Sequence, residues 1–295
     1  VRRRRNPAAE ASTVVPDSSR AGTILSAAGL TPNKSKGQNF LTQGAVADRI
    51  VAAAELHASD DVVEIGPGLG VLTERILLCD VRSVTAVELE HVLAERLRES
   101  CAANGRVRIV ESNFVKIDFS SLATSRVKVI GNLPFNAAGA IFRILCDNHD
   151  LVAMIVAMFQ REVGARIRAT PGDSAYSALS VYAALYFEVD LHFRVAAGSF
   201  HPKPKVDAEV LRFRPRKSLL FKRDEEARVL ETVRASFSAP RKMIRNSLAG
   251  GLGLSSSAAV AALARAQISP TARAESLSPE DFVRLARALN PAHSS

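Results

Sequence analysis

The sequence predicts an α/β protein, a doubly wound sheet followed by a smaller all-helical domain at the C-terminal end. Three observations predict it. The run Asp61-Val62-Val63-Glu64-Ile65 leads into Gly66-Pro67-Gly68-Leu69-Gly70, after which Val71, Leu72, Arg75 and Ile76 begin a helical pattern. Strand and helix signals alternate from Asp48 to about Arg214, as in a sheet covered on both faces. After Pro215-Arg216-Lys217 the pattern turns helical and stays so. With 295 residues and 47% hydrophobic content, the chain can support a large core and a smaller one.

Taken in order, residues 1–30 carry Arg2 to Arg5 and then a Pro-, Ser- and Ala-rich stretch with little periodicity, which predicts a flexible tail. Residues 31–215 hold the sheet. Its first strand ends at the glycine loop, and the next apolar run, Val84-Thr85-Ala86-Val87, ends in Glu88. Val127-Lys128-Val129-Ile130 is a later strand, running into Asn132-Leu133-Pro134-Phe135. Near the end of the sheet, Arg212 and Arg214 alternate with Leu211 and Phe213, so both arginines share one face. Residues 216–295 hold four amphipathic helices, over Glu225–Phe237, Arg241–Ala249, Ser256–Ala266 and Pro279–Leu289, the last with Ser278 as N-cap and Glu280 and Asp281 in its first turn.

Strand, glycine loop and helix form a nucleotide-cofactor arrangement. A dinucleotide loop reads G-x-G-x-x-G, whereas here the third glycine comes one residue early. Glu64 would place a negative charge beside a pyrophosphate, but it suits the cationic methionine portion of S-adenosylmethionine. Glu88, 22 positions after Gly66, can accept hydrogen bonds from ribose hydroxyls.

Asn132 to Phe135 reads as a grip for a planar exocyclic amine. Such an amine is a poor nucleophile because its lone pair is delocalised into the ring. Two oxygens accepting its N–H bonds, with an aromatic face beneath the ring, free the lone pair as the nitrogen pyramidalises. Asn132 supplies a side-chain oxygen, Leu133 a backbone carbonyl held by rigid Pro134, and Phe135 the face. This points to N6 methylation of adenine by direct in-line transfer, with orientation and desolvation as the enzyme's contribution and no dedicated base.

At these residues the chain resembles the ribosomal RNA adenine N6-dimethyltransferases, in particular the small-subunit type responsible for kasugamycin sensitivity. The resemblance spans roughly Lys34 to Leu248. It rests on Gly37-Gln38-Asn39-Phe40-Leu41, Glu64 to Gly70, Asn132 to Asn136, Gln160-Arg161-Glu162-Val163, Ala169-Thr170-Pro171-Gly172, Leu179-Ser180-Val181, Phe200 to Val206 and Arg241 to Leu248. It implies a Rossmann-like methyltransferase sheet with a helical RNA-binding domain. It also implies that Gln38, Asn39 and Leu41 close over S-adenosylmethionine, that Gly66 and Gly68 lie against it, and that Glu88 holds its ribose. The residue at 113 would contact its adenine, and Asn132 would stand between cofactor and target. Phe135 and Phe200 would stack on the target base from either side. The implied reaction is dimethylation of two adjacent adenosines near the 3′ end of small-subunit ribosomal RNA, in an assembling particle.

Three positions depart from the family pattern. Ser112-Asn113-Phe114 stands where Gly-Asp-Ala is usual, which predicts weaker cofactor binding without loss, since an amide oxygen still accepts. Phe135 replaces the commoner Tyr and keeps the ring. Pro240 precedes Arg241-Lys242 where an additional arginine is usual, which bears on part of the RNA contact.

Composition agrees with an RNA substrate: 39 Lys plus Arg against 30 Asp plus Glu give a net charge of +9. Basic residues cluster at Arg161, Arg166 and Arg168 and between Lys203 and Arg223; Lys203 and Lys205, beside Phe200, are the expected phosphate contacts, with Arg241 and Lys242. The basic N-terminal stretch fits an RNA-touching arm as well as a mitochondrial transit peptide, against which Glu10 and Asp17 argue. No run of 18 apolar residues predicts a membrane span, and no secretory signal is expected. Three scattered cysteines and six dispersed histidines show no metal spacing, so reduced thiols, a cytoplasmic location and no metal are expected. A monomer is the default. Two other readings remain, a large-subunit methyltransferase of the macrolide-resistance kind and a non-catalytic RNA-binding assembly factor on the same fold.

Overall fold

Successive residues of a strand point to opposite faces of its sheet, and in Asp61–Ile65 both directions meet apolar cores, Val62 in one buried cluster and Val63 in the other. A strand buried on both faces is what a sheet with helices on either side requires. The structure, a computed structural model, describes residues 18–27, 37–123 and 125–289. Its elements are α1 (Ser18–Ala27), β1 (Phe40–Leu41), α2 (Gly44–Ala53), β2 (Asp61–Ile65), α3 (Val71–Leu77), β3 (Ser83–Glu88), α4 (His91–Cys101), β4 (Val107–Glu111), β5 (Val127–Asn132), α5 (Ala138–Asp147), β6 (Val152–Gln160), α6 (Arg161–Arg168), α7 (Ala178–Tyr186), β7 (Phe187–Val195), β8 (Phe200–His201), β9 (Ala208–Pro215), α8 (Glu226–Ser236), α9 (Ile244–Leu252), α10 (Ser256–Arg265) and α11 (Pro279–Ala288).

Seven strands form one sheet in the order β4-β3-β2-β5-β6-β9-β7. Pairing is parallel from β4 to β6, and β9 runs antiparallel between β6 and β7. The order reverses between β2 and β5, so the connections leave their C-terminal ends in opposite directions and open a crevice there. A second, two-stranded sheet pairs Phe40 with His201 and Leu41 with Phe200, which brings the segment before α2 against the Phe200 loop.

The expected runs at Asp61, Val84 and Val127 are β2, β3 and β5, and the four expected C-terminal helices are α8 to α11. Helix α9 starts at Ile244, not Arg241, because Met243 is the extended N-cap residue. Ser278 caps α11 reciprocally: its hydroxyl accepts from the Asp281 N–H at 3.1 Å, and the Asp281 carboxylate accepts from the Ser278 N–H at 2.8 Å. These helices share the core of one sheet face, which runs from Val129, Ala157 and Phe213 through α5 and α7 to Val229, Ile244, Leu263 and Phe282.

The expected flexible tail needs correction at Ser18–Ala27, which is helical, with Ala21 and Leu25 buried in the second core beside Phe40 and Phe200. Its apolar positions gain their value from that docking, because so short a helix has little stability of its own. The remainder of the expected tail, including Arg2 to Arg5, lies outside the described residues.

Candidate active site

The crevice between the ends of β2 and β5 encloses about 310 Å³. Its floor is the glycine loop. Gly66 and Gly68 have φ of +66° and +58°, which L side chains rarely adopt, and a Cβ on Gly68 would lie 2.9 Å from the Phe40 ring. Backbone is therefore exposed to a ligand where any side chain would be strained.

Glu88 ends β3 at the crevice wall and is held by three backbone donors: Leu89 N–H at 2.8 Å and Glu90 N–H at 2.9 Å to Oε1, and Gly68 N–H at 2.9 Å to Oε2. A carboxylate offers about four acceptor sites, so roughly one remains for a ribose hydroxyl. Burial pushes its carboxyl above the usual range, opposed by these N–H groups. Leu89 and Val115, unnoticed in the sequence, put exposed apolar side chains on the wall, at 51% and 40% exposure. Only their positions next to Glu88 and Phe114 could have signalled them.

Asn132 is oriented from the side. Its Nδ2 donates to the Asn39 carbonyl at 2.8 Å, which fixes the amide and leaves Oδ1 buried without a hydrogen-bond partner. An unmet buried acceptor costs about 1–3 kcal/mol, and a ligand N–H reaching it recovers that loss. The Phe135 N–H also donates to the Gly37 carbonyl, at 3.4 Å, so the β1 strap and the Asn132 loop are tied at two points.

Of the residues singled out from sequence, Gln38, Asn39, Leu41, Gly66, Gly68, Glu88, Asn113, Asn132, Leu133 and Pro134 line this crevice. Asn113 uses its Oδ1 to accept from the Val115 N–H at 3.0 Å, capping a short turn. Glu64 stands outside the wall. It is fully buried, Oε2 accepts from the Thr73 hydroxyl at 2.7 Å, and Oε1 has no partner. Burial pushes the Glu64 carboxyl up to about 8, against the Thr73 hydrogen bond and with a further push from Glu88.

The expected two-sided stacking needs correction. Phe135 and Phe200 meet edge to face, with centroids 6.3 Å apart and planes at 65°, so no base fits between them in this arrangement. Phe200 is 4% exposed and packs into the second core beside β1. Lys203, Lys205, Arg241 and Lys242 are exposed and do not line the crevice. Arg212 and Arg214 share a face as expected, but acids hold them, Arg212 by Glu55 at 2.9 Å and Arg214 by Asp190 at 2.7 Å. Among the described residues one set of potential metal ligands converges, His91, Glu95 and Glu111; all are exposed, and Arg98 pairs with both acids.

Comparison with known proteins decides the family. The Ribosomal RNA adenine dimethylase family profile matches residues 29–290. The chain belongs to that family. Among dimethylase-family relatives, the ribosomal RNA small subunit methyltransferase A of Geobacter metallireducens is 39% identical over 266 residues, covering 88% of this chain and 96% of the relative. The protein of that name from Methylococcus capsulatus is 41% identical over 261 residues, covering 88% and 98%. Among solved structures, a dimethyladenosine transferase from Plasmodium falciparum shares the fold with a TM-score of 0.70 at 23% identity, covering 83% of this chain and 95% of that one. The 23S rRNA methyltransferase ErmE aligns with a TM-score of 0.64 at 26% identity, covering 85% and 99%. This dimethylase-family chain is thus a ribosomal RNA methyltransferase with S-adenosylmethionine as methyl donor. The residues fit that donor: side-chain-free backbone at Gly66 and Gly68, an acceptor on Glu88, and apolar walls at Leu89 and Val115. No single helix among the described residues is long and apolar enough to cross a membrane.

Proposed function

We propose that the protein dimethylates N6 of two adjacent adenosines near the 3′ end of small-subunit ribosomal RNA, acting as a monomer on an assembling particle in the cytoplasm. Residues 31–215 carry the transfer and residues 216–295 contact RNA. The observation that carries this reading is the unpartnered Oδ1 of Asn132, fixed at the crevice wall by the Asn39 carbonyl. Relatives named for the small subunit, matched along nearly their whole length, support the choice of RNA.

S-adenosylmethionine supplies an electrophilic methyl group on a cationic sulfur. Gly66 and Gly68 admit it to the floor, Glu88 accepts from its ribose, and Asn113 lies at the adenine end. Asn132 Oδ1 accepts one N–H of the target amine, and the Leu133 carbonyl is the second acceptor. Phe135, half-buried, offers one face to the target base, while Phe200 buttresses Phe135 edge-on and keeps water from that side. Fixing both reactants in line accounts for most of the acceleration expected of such a site. After the first transfer the alkylated nitrogen, now acidic, gives one proton to solvent water and keeps one N–H, which Asn132 can hold for the second.

Labelled methyl transfer to immature small ribosomal subunits lacking the modification tests this, with nucleoside analysis and Asn132→Ala as control. N6,N6-dimethyladenosine, lost in the control, is expected. Transfer to large-subunit RNA assayed in parallel, with none to the small subunit, would favour the activity named for ErmE, and binding without transfer would favour an assembly factor.

A further inference from the structure

Glu209 is 1% exposed, on β9 opposite Phe159 of β6 and Arg194 of β7. A buried carboxylate persists only when paired. Room for it is made by Gly164 of α6, where a Cβ would lie 2.7 Å from Glu209 Oε2. Two guanidinium groups then meet it, Arg168 through Nη2 at 2.8 Å from Oε2 and Arg194 through Nε at 3.4 Å from Oε1. One cation neutralises one carboxylate, so the second leaves a net positive charge at this place. The surplus lies with Arg194, whose side chain is 70% exposed and whose terminal nitrogens have no acceptor among the described residues.

The position of this group matters. Asn132 pairs with Met158 on β6, and Met158 with Val210 on β9, the neighbour of Glu209. Two strand spacings, about 10 Å, separate the β5 and β9 strands. Arg161 and Arg166 of α6 are exposed on the same side of the sheet, and Glu162 is the one acid of that helix.

We propose that Arg168 and Arg194, held together on the buried carboxylate of Glu209, form a clamp for one backbone phosphodiester of the RNA whose adenine enters the Asn132 site. The proposal rests on the RNA reading of the preceding subsection. A guanidinium presents parallel N–H donors that match two phosphate oxygens. Glu209 holds the arginines in place beforehand, so less side-chain freedom is lost when RNA arrives.

The test compares wild type, Arg194→Ala and Arg194→Lys in binding to undermethylated small ribosomal subunits over a range of salt, with S-adenosylmethionine affinity and melting temperature measured alongside. Arg194→Ala is expected to flatten the slope of log K against log salt by about 0.7–0.9, one phosphate contact. Arg194→Lys should restore the slope, and cofactor affinity should be unchanged in both. An unchanged slope in Arg194→Ala, with wild type binding the particle normally, overturns the clamp and leaves the RNA reading standing; a fall in melting temperature with that unchanged slope assigns Arg194 to charge neutralisation alone. Failure of wild type to bind the particle overturns both.

Discussion

At Asn132 one hydrogen bond decides which end of the amide is open, because with Nδ2 committed to the Asn39 carbonyl the oxygen is the end left without a partner. Asn132→Ala removes that acceptor, and loss of one such group typically lowers kcat by about 10²–10³-fold. Single-turnover methyl transfer beside a cofactor titration should place most of the loss in the transfer step; an equal loss in cofactor affinity would argue against this role. Glu64 makes a different kind of statement. Its folded carboxyl is pushed up to about 8, from an ordinary value of 4.5, mainly by burial. Between those two values the folded protein holds a proton that the unfolded chain has released, so stability falls as pH rises through this window and levels off above it. Glu64→Gln keeps an acceptor for the Thr73 hydroxyl without the titration. Its melting temperature should exceed wild type at pH 8 by an amount reflecting on the order of a few kcal/mol, with the curves converging near pH 5; parallel curves would refute it. The identity of these residues was legible in the sequence, since Asn-Leu-Pro-Phe and the glycine loop are local signals. That Glu64 lies behind the crevice wall, and that Phe135 and Phe200 meet edge-on, depends on packing between segments far apart in the chain.

Local signals also explain which elements could be read. Strands β2, β3 and β5 are mostly apolar runs because both faces are buried, and α8, α10 and α11 show a helical period because one face is. β1 and β8 are two residues each and exist only through pairing across some 160 positions, from Phe40 to His201. α1 was hidden because a ten-residue helix in a Ser- and Ala-rich stretch announces itself only by the surface it covers. At α11, Ser278→Ala removes one half of a reciprocal cap and should cost about 1 kcal/mol in denaturant unfolding; no change would show that Pro279 and packing suffice. At the turn after β4, Asn113 spends its oxygen on the Val115 N–H. Asn113→Asp keeps that cap and adds a second oxygen for the cofactor's amine. A net hydrogen bond of about 0.5–1.5 kcal/mol predicts roughly 2- to 10-fold tighter binding by calorimetry, and unchanged affinity would remove Asn113 from the cofactor site.

Across the whole molecule, the break in pattern at Pro215-Arg216-Lys217 is not a break in the core. Tyr176 donates its hydroxyl to the Leu277 carbonyl at 2.9 Å, Tyr186 donates to Glu226 at 2.6 Å, and the Gly172 N–H donates to the Glu275 carbonyl at 2.8 Å. Arg216 itself reaches back to the Ala184 carbonyl. The apolar cluster that covers one sheet face continues without interruption into α8, α9, α10 and α11. Helices α8 and α11 reach the sheet through α7 and share its apolar cluster, so the two regions should unfold together. S-adenosylmethionine, expected in the crevice between the ends of β2 and β5, then becomes a probe of that coupling. At about 100 times its Kd it adds about 2.7 kcal/mol to the folded state, which for a chain of this size raises the melting temperature by about 4–5 °C. If the coupling holds, calorimetry shows one transition and the cofactor moves all of it, including the loss of helical circular dichroism. Two transitions, of which the cofactor moves only one, would show instead that the C-terminal helices are stable apart from the sheet.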